Sequence, residues 1–263
     1  MAGWYERRLF FTKYIFRIWY KFVNRVDRKG ELVFMNYGFS NGEPTPDLEP
    51  NEESNRTCIQ LYDQLVKNSE IKDKHILEVG SGRGGGLAFL TQRYKPKMAT
   101  GLDLNKTAIS FCNKTHAHKG LKFHHGHAEK LPFEDNSMDI VINVESSHRY
   151  ENMHAFLAEV KRVLRPGGSF LLTDFRYDHH LEKFKRDIQA AGMNIVNNSL
   201  ITSFVVEALK NDNSRRVELV KRLVPWFLHK HALEFSGVVG SRSYNNFESG
   251  RWSYLNYHLK KEM

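Results

Sequence analysis

From residue 75 onward the chain alternates two hydrophobic patterns. Short apolar runs such as Ile76-Leu77-Glu78-Val79 and Ile140-Val141-Ile142 have the composition of strands buried in a parallel sheet. Between them lie stretches whose apolar positions recur every three or four residues, the spacing of a helix with one buried face. The predicted order begins with a strand at His75–Val79, a helix at Leu87–Tyr94, and strands at Ala99–Leu104, Leu121–His124 and Met138–Val144. A helix at Met153–Leu164 follows, stopped by Arg165-Pro-Gly-Gly168, then a strand at Ser169–Asp174 and a helix at Asp178–Ala191. Strands at Met193–Leu200 and Trp252–Leu259 close the series. Alternation of this kind builds an α/β, Rossmann-like fold of seven strands with helices on both faces.

Two intervals break the alternation. Trp4 to Val26 is dense in aromatic and bulky aliphatic residues, and Lys13, Arg17, Lys21 and Arg25 recur every four residues as one stripe on a helix. No apolar run there reaches the length of a transmembrane helix, and the charges exclude a signal-peptide core. The polar loop Asn41–Glu53, with prolines at 44, 46 and 50, cannot be helix interior and is expected to cross the mouth of the site. A helix at Ser54–Asn68 follows. The second interval, residues 202–250, reads as largely helical, with segments at Val205–Lys210 and Arg215–Phe227. The expected division is an N-terminal aromatic basic helix and lid loop over 1–53, and an α/β domain over 54–263.

The stretch His75-Ile-Leu-Glu-Val-Gly-Ser-Gly-Arg-Gly-Gly-Gly86 turns a strand into a helix through clustered glycines, which permit positive φ and close backbone approach. Gly80-Ser-Gly-Arg-Gly-Gly85 also satisfies the dinucleotide pattern GxGxxG. The acid Glu78, two residues before the first glycine, would repel a pyrophosphate. It suits a ligand with a cationic amino group and no phosphate, such as S-adenosylmethionine (SAM). Asp103 ends the next strand about 20 residues on, the place from which this fold holds ribose hydroxyls.

Four segments in order, Glu78-Val-Gly-Ser-Gly82, Gly101-Leu-Asp-Leu104, His127-Ala-Glu-Lys-Leu-Pro-Phe133 and Arg162-Val-Leu-Arg-Pro-Gly-Gly168, carry a more specific likeness. The chain resembles class I SAM-dependent methyltransferases. Within them it looks closest to the phthiotriolone dimycocerosate methyltransferases and related lipid or polyketide O-methyltransferases, through Phe34-Met-Asn-Tyr-Gly38, Glu53-Ser-Asn-Arg56 and Asn143-Val-Glu-Ser-Ser-His148. The resemblance implies an antiparallel pair of last strands with a short connection, so residues 202–250 read as an insertion shaping the acceptor pocket.

Ligands in such sheets bind beyond the C-terminal strand ends. Glu78, Gly80, Ser81 and Gly82 are expected at the methionine half of SAM, Asp103 at the ribose, and the backbone of Ala128 and Glu129 at the adenine edge. Leu104 would pack on the adenine face, and Asn143 would bring its carbonyl to the methionine amine. By resemblance, Tyr37 roofs the methionine, His148 is the general base and Asp174 supports it. Glu145 is a secondary candidate for contact with the acceptor. The family commonly has Asp where this chain has His127, which changes what that side chain can accept from adenine.

Charge adds a competing reading. The net charge is +9, but residues 1–30 hold eight Lys/Arg against two acids, whereas residues 31–60 hold one Arg against six acids. That distribution describes a basic arm rather than a nucleic-acid cleft. The arm suits either a lid over the acceptor or peripheral contact with the anionic inner membrane surface. Two cysteines, Cys58 and Cys112, suit a reduced cytoplasmic setting. The three histidines His124, His125 and His127 suggest a metal, but strand alternation sends the first two to opposite faces, so no metal site is expected. His116 and His118 fall near a helix end, where cations complement the dipole.

The combined expectation is SAM-dependent O-methylation of a hydroxyl, or a carboxyl, on a lipid-like or polyketide-like small molecule. The alternatives are a methyltransferase of RNA or another polyanion, and a non-catalytic SAM-binding membrane-associated protein. The absence of an Asn/Asp-Pro-Pro-Tyr/Phe ledge after Asn143 counts against methylation of a planar nitrogen.

Overall fold

The structure, a computed structural model, describes residue 27 and residues 30–43 and 46–263. The arm Trp4–Val26 and its lid or membrane reading lie outside the described residues, as does Pro44. Seven strands form one sheet: β1 (His75–Val79), β2 (Met98–Asp103), β3 (Leu121–His125), β4 (Met138–Val144), β5 (Leu164–Tyr177), β6 (Asn194–Leu200) and β7 (Trp252–Lys260). Their order is β3-β2-β1-β4-β5-β7-β6. The first five are parallel, and β7 runs antiparallel between β5 and β6. The chain reverses its direction of travel across the sheet between β1 and β4, and this opens a crevice at their C-terminal ends.

The helices are α1 (Arg56–Val66), α2 (Gly85–Tyr94), α3 (Lys106–Thr115), α4 (Met153–Val163), α5 (Asp178–Ala190), α6 (Thr202–Asn211), α7 (Asn213–Leu223), α8 (His229–Ser236) and α9 (Arg242–Glu248). Their starts follow local chemistry. Asn105 accepts from the Thr107 and Ala108 amides at 3.0 and 3.3 Å, and Asn152 accepts from Ala155 at 3.0 Å. Strand alternation then separates two cores. Ile76, Ile140 and Ile142 face α1 and α2, whereas Leu77, Val79 and Val141 face Phe156, Leu157 and Val160 of α4.

Two predicted elements change. The helix expected to run from Arg215 to Phe227 stops at Leu223, because Pro225 drives Val224 into extended backbone (φ −111°, ψ 135°). A 3₁₀ turn, Trp226–Leu228, then leads into α8. The fifth strand begins five residues early, at Leu164, with its register against β4 shifting between Met138 and Ile140. The Pro166-Gly167 turn signal lies inside this irregular start rather than before it.

Residues 30–40 form a strap across the crevice. Asp27, just before it, accepts from the Glu31 and Leu32 amides, each at 2.9 Å, and from Arg83 of the glycine loop at 2.7 Å. Both side chains of that ion pair are fully buried, and Phe111 stacks 3.7 Å from the Arg83 guanidinium. Farther along, the Gly85 amide donates to Val33 O at 3.2 Å, Phe39 to Thr57 O at 2.9 Å and Ser40 to Phe204 O at 3.1 Å. The described part of the loop expected over the mouth instead lies along α1, where Gln60 donates to Glu43 O and Arg56 to Pro46 O.

Gly86 shows how tightly α1 meets the glycine loop. A Cβ there would stand 1.9 Å from the ring carbon Cζ of Tyr62. Gly86→Ala is expected to cost about 1–3 kcal/mol by overpacking. A melting point lowered by about 3–10 °C would register it, and an unchanged one would show that Tyr62 yields freely.

Candidate active site

At the end of β1 alternation turns Glu78 toward α1, where Tyr62 on its buried face donates to Oε1 at 2.7 Å. The Glu78 carboxyl is fully buried, and burial raises its pKa to about 7 despite that hydrogen bond. Among the described residues its other oxygen, Oε2, has no partner. The loop then turns at Gly80 (φ +81°), where a Cβ would fall 1.9 Å from Ser146 Oγ, so only glycine fits. The Gly80 and Ser81 amides donate to Leu102 O at 2.7 and 3.0 Å, which ties the loop to β2.

Asp103 ends β2 and accepts from the Gly82 amide through Oδ2 at 2.9 Å and from the Asn105 amide through Oδ1 at 2.8 Å. Burial raises its pKa, with the two amides opposing. Leu104, the next residue, is 51% exposed, an apolar surface beside the crevice. Asn143, fully buried near the end of β4, donates from Nδ2 to Val79 O at 2.7 Å and to Tyr150 Oη at 2.9 Å. Among the described residues its Oδ1 has no partner. Ala128 and Glu129 form the tip of a tight turn closed by the Lys130 amide on His127 O at 3.2 Å. The Glu129 carboxylate turns away to the start of α4, accepting from the Glu151 and Asn152 amides. His127 itself is exposed.

The second half of the site lies after β4. His148 Nδ1–H donates to Asp174 Oδ1 at 2.7 Å, and the His148 amide to Oδ2 at 2.8 Å. Ser147 Oγ donates to the same Oδ2 at 2.7 Å, and Arg176 pairs with it at 3.0 Å. Burial alone would push Asp174 up, but the charges of His148 and Arg176 hold it well below the usual carboxylate range. Burial also lowers the His148 pKa, more than Asp174 raises it, so the ring is neutral at pH 7. With the proton on Nδ1, Nε2 presents its lone pair, which accepts from Arg149 Nε–H at 3.0 Å.

Around this pair stands an aromatic wall. Phe175 lies 4.3 Å from the His148 ring between centroids, and Tyr37 lies 5.8 Å from Phe175 and 5.1 Å from Phe247. The Tyr37 ring therefore sits beside the His148 half. Its amide donates to Glu145 Oε1 at 2.7 Å, as does Tyr254 Oη at 2.6 Å. Glu145 occupies positive φ (+45°), a strained conformation for a residue with a Cβ, and burial raises its pKa to about 7. Its Oε1 thus ties the strap to β7, while the residue as a whole stays half-buried. His116 differs from expectation. Burial lowers its pKa, and as a neutral ring it donates from Nε2 to Arg83 O at 2.8 Å instead of serving as a cation.

The sequence reading does not name Tyr62, Ser147, Arg149, Tyr150, Arg176 or Tyr254, nor the wall rings Phe175 and Phe247. Only Arg176 carried a local signal, because the two-residue spacing from Asp174 puts both on one face of β5.

The residues fit SAM. Two buried acceptors without partners among the described residues, Glu78 Oε2 and Asn143 Oδ1, stand either side of the Val79–Gly80 turn and call for donors such as an ammonium. Above Gly82 a Cβ would meet no atom of the described residues within 4 Å.

Residues 77–172 match a family profile described as a methyltransferase domain. The phthiotriol/phenolphthiotriol dimycocerosates methyltransferase of Mycobacterium tuberculosis is 38% identical over 251 residues, which is 95% of this chain and 93% of that one. A fatty-acid O-methyltransferase of Mycolicibacterium smegmatis is 35% identical over 239 residues, covering 90% of this chain and 86% of the relative. Among solved structures, geranyl diphosphate C-methyltransferase from Streptomyces coelicolor superposes with a TM-score of 0.65 at 13% identity, covering 89% of this chain and 94% of that one. Likeness along nearly the whole of both chains places this protein in the family of the phthiotriol/phenolphthiotriol dimycocerosates methyltransferases, and it is a SAM-dependent methyltransferase.

Proposed function

We propose that the protein methylates a hydroxyl oxygen of a lipid-like or polyketide-like acceptor, with His148 as general base and Asp174 as its anchor. The observation that carries this reading is half-buried His148 held at 2.7 Å on the buried Asp174 carboxylate, with a neutral imidazole whose Nε2 accepts. SAM bound over the glycine loop supplies a methyl on a sulfonium, a good leaving group. What remains for the chain is to position the acceptor oxygen and remove its proton. The Asp174 carboxylate fixes the imidazole tautomer and stabilises the imidazolium as it forms. Arg149 occupies Nε2 in this conformation, so an acceptor hydroxyl takes that position by displacing its guanidinium. The acceptor class comes from the relatives' substrates; of the aromatic wall, half-buried Tyr37 offers it apolar surface, backed by the buried rings of Phe175 and Phe247.

In this reading Glu78 and Asn143 receive the methionine ammonium, Asp103 the ribose hydroxyls, Leu104 packs on the adenine, and the Ala128 and Glu129 backbone reads its edge. Tyr37, beside the His148 half, stands where the methyl of SAM would meet the acceptor.

Incubation with SAM and either a long-chain alcohol or a fatty acid tests the reading. Release of S-adenosylhomocysteine with a methyl ether product supports it, and a methyl ester only would transfer it to the carboxyl. A carboxylate arrives ionised and needs no base, so ester formation would survive loss of His148.

Glu78 gives a separate test at the cofactor. Without ligand its pKa is raised to about 7, and an ammonium beside it favours the ionised form. Binding then requires loss of a proton, so affinity is constant above that pKa and falls as pH drops through it. SAM should bind about fivefold more weakly at pH 6 than at pH 7 by calorimetry. Glu78→Gln should remove that slope; a slope that persists would place the proton elsewhere.

A further inference from the structure

The insertion between β6 and β7 carries a feature that methyl transfer does not use. Trp226 is 81% exposed and Phe227 62%, adjacent aromatic rings at the tip of the turn joining α7 to α8. Two apolar side chains of this size left in water normally mark a surface that meets something. The tip is not a loose loop. Leu228 N donates to Pro225 O at 2.9 Å, and His229 Nε2 to Val224 O at 2.8 Å. Beneath it Val220, Val224 and Ala232 form a small core with Leu223, Leu228 and Leu233 packed against it. A platform that buries three apolar residues and partly buries three more holds these two outward.

The segment that forms the tip is basic. Residues 221–231, Lys-Arg-Leu-Val-Pro-Trp-Phe-Leu-His-Lys-His, contain three cations and no acid. Lys221, Arg222 and Lys230 are exposed, and Arg222 also reaches Glu31 of the strap. Aromatic residues at a tip, ringed by lysine and arginine, have the composition of an element that sits at the boundary between anionic headgroups and acyl chains.

Position gives the tip a use. Helix α8, eight residues or about 12 Å long, runs from it to Gly237, where a Cβ would stand 2.9 Å from the Tyr37 ring. Near its end Phe235 lies 5.9 Å from the guanidinium of Arg149, which is bonded to His148. One short helix therefore separates the exposed tip from the base.

We propose that Trp226 and Phe227 insert into the surface of an anionic lipid membrane, with Lys221, Arg222 and Lys230 on the headgroups, and so bring the crevice to an acceptor held in the bilayer. The purpose assigned to docking rests on the lipid-acceptor reading. Docking itself is measured without turnover, so either can fail alone.

The test is flotation of the full chain with vesicles of phosphatidylcholine, with and without phosphatidylglycerol. Wild type should float with the anionic vesicles and far less with the neutral ones. Trp226→Ala/Phe227→Ala should lower that partition by about tenfold or more, since the apolar area it removes is the inserted part. Lys221→Gln/Lys230→Gln should lower it less, and reduce its dependence on salt. All variants keep the N-terminal arm, so differences report on the tip, and unchanged SAM affinity certifies the fold. Binding of the aromatic double variant within about twofold of wild type would overturn the proposal, as would a wild type that binds neither vesicle or both equally.

Discussion

His148→Ala is expected to lower turnover on a hydroxyl acceptor by about 10²–10⁴-fold, the usual worth of a positioned proton acceptor, with SAM affinity nearly unchanged. The separation follows from geometry. His148 hangs from β5 through Asp174 and faces the aromatic wall, whereas the groups assigned to SAM cluster around β1, β2 and Asn143. The pH profile distinguishes a base from a structural residue. Burial lowers the His148 pKa below its ordinary value near 6.5. The neutral form, which is the competent one, therefore predominates already at neutral pH. Wild-type turnover should be flat around pH 7 and fall on the acid side, through a midpoint below the ordinary value, and His148→Ala should lose that limb. Asp174→Asn should lower activity too, with a lower melting point, because it leaves the buried Arg176 guanidinium without its counter-charge. Near-wild-type turnover of His148→Ala on an alcohol would reduce the residue to part of the wall.

Asp103→Ala is expected to weaken SAM binding by about 2–3 kcal/mol, roughly 30–150-fold in Kd, through loss of charge-assisted hydrogen bonds to the ribose. The structure adds a second route to the same loss. Each oxygen of Asp103 already accepts a backbone amide, one from Gly82 and one from Asn105. The carboxylate thus holds the glycine loop in shape as well as facing the crevice. Asparagine would not rescue it. One of its two side-chain positions must be an NH₂ group, which would meet a backbone N–H donor head-on. Asp103→Asn should therefore bind SAM no better than Asp103→Ala. Calorimetry decides this, and unchanged affinity in either variant would remove Asp103 from the ribose.

Much of the fold and half of the site were legible in the chain because their causes are local. Strand ends at Val79, Asp103 and Val144 follow from apolar runs ended by glycine, acid or polar residues. The turn at Gly80 follows from glycine's tolerance of positive φ, and the caps at Asn105 and Asn152 from side chains that bond amides two or three residues away. Because parallel strands in such a sheet all point one way, the ends of β1, β2 and β4 had to meet at one edge. Glu78, Asp103 and Asn143 could therefore be named as neighbours without coordinates. Pro225 was an equally local signal, and the predicted helix through Phe227 overlooked it.

The tertiary structure alone decided what depends on partners remote in sequence. Asp27 and Arg83 neutralise each other in a dry interior from 56 residues apart, and Glu145 clamps Tyr37 and Tyr254 from more than a hundred. Glu145 accepts a strained φ to do so, which no propensity foretells. Arg149 on Nε2, Ser147 and Arg176 on Asp174, and the outward face of Trp226 and Phe227 likewise arise only when the chain is packed. Spacing determines which side chains share a strand end or a helix face. Whether a carboxyl there is ionised, a histidine neutral or an aromatic exposed depends on desolvation and on charges brought up by other elements, and those exist only in the assembled fold.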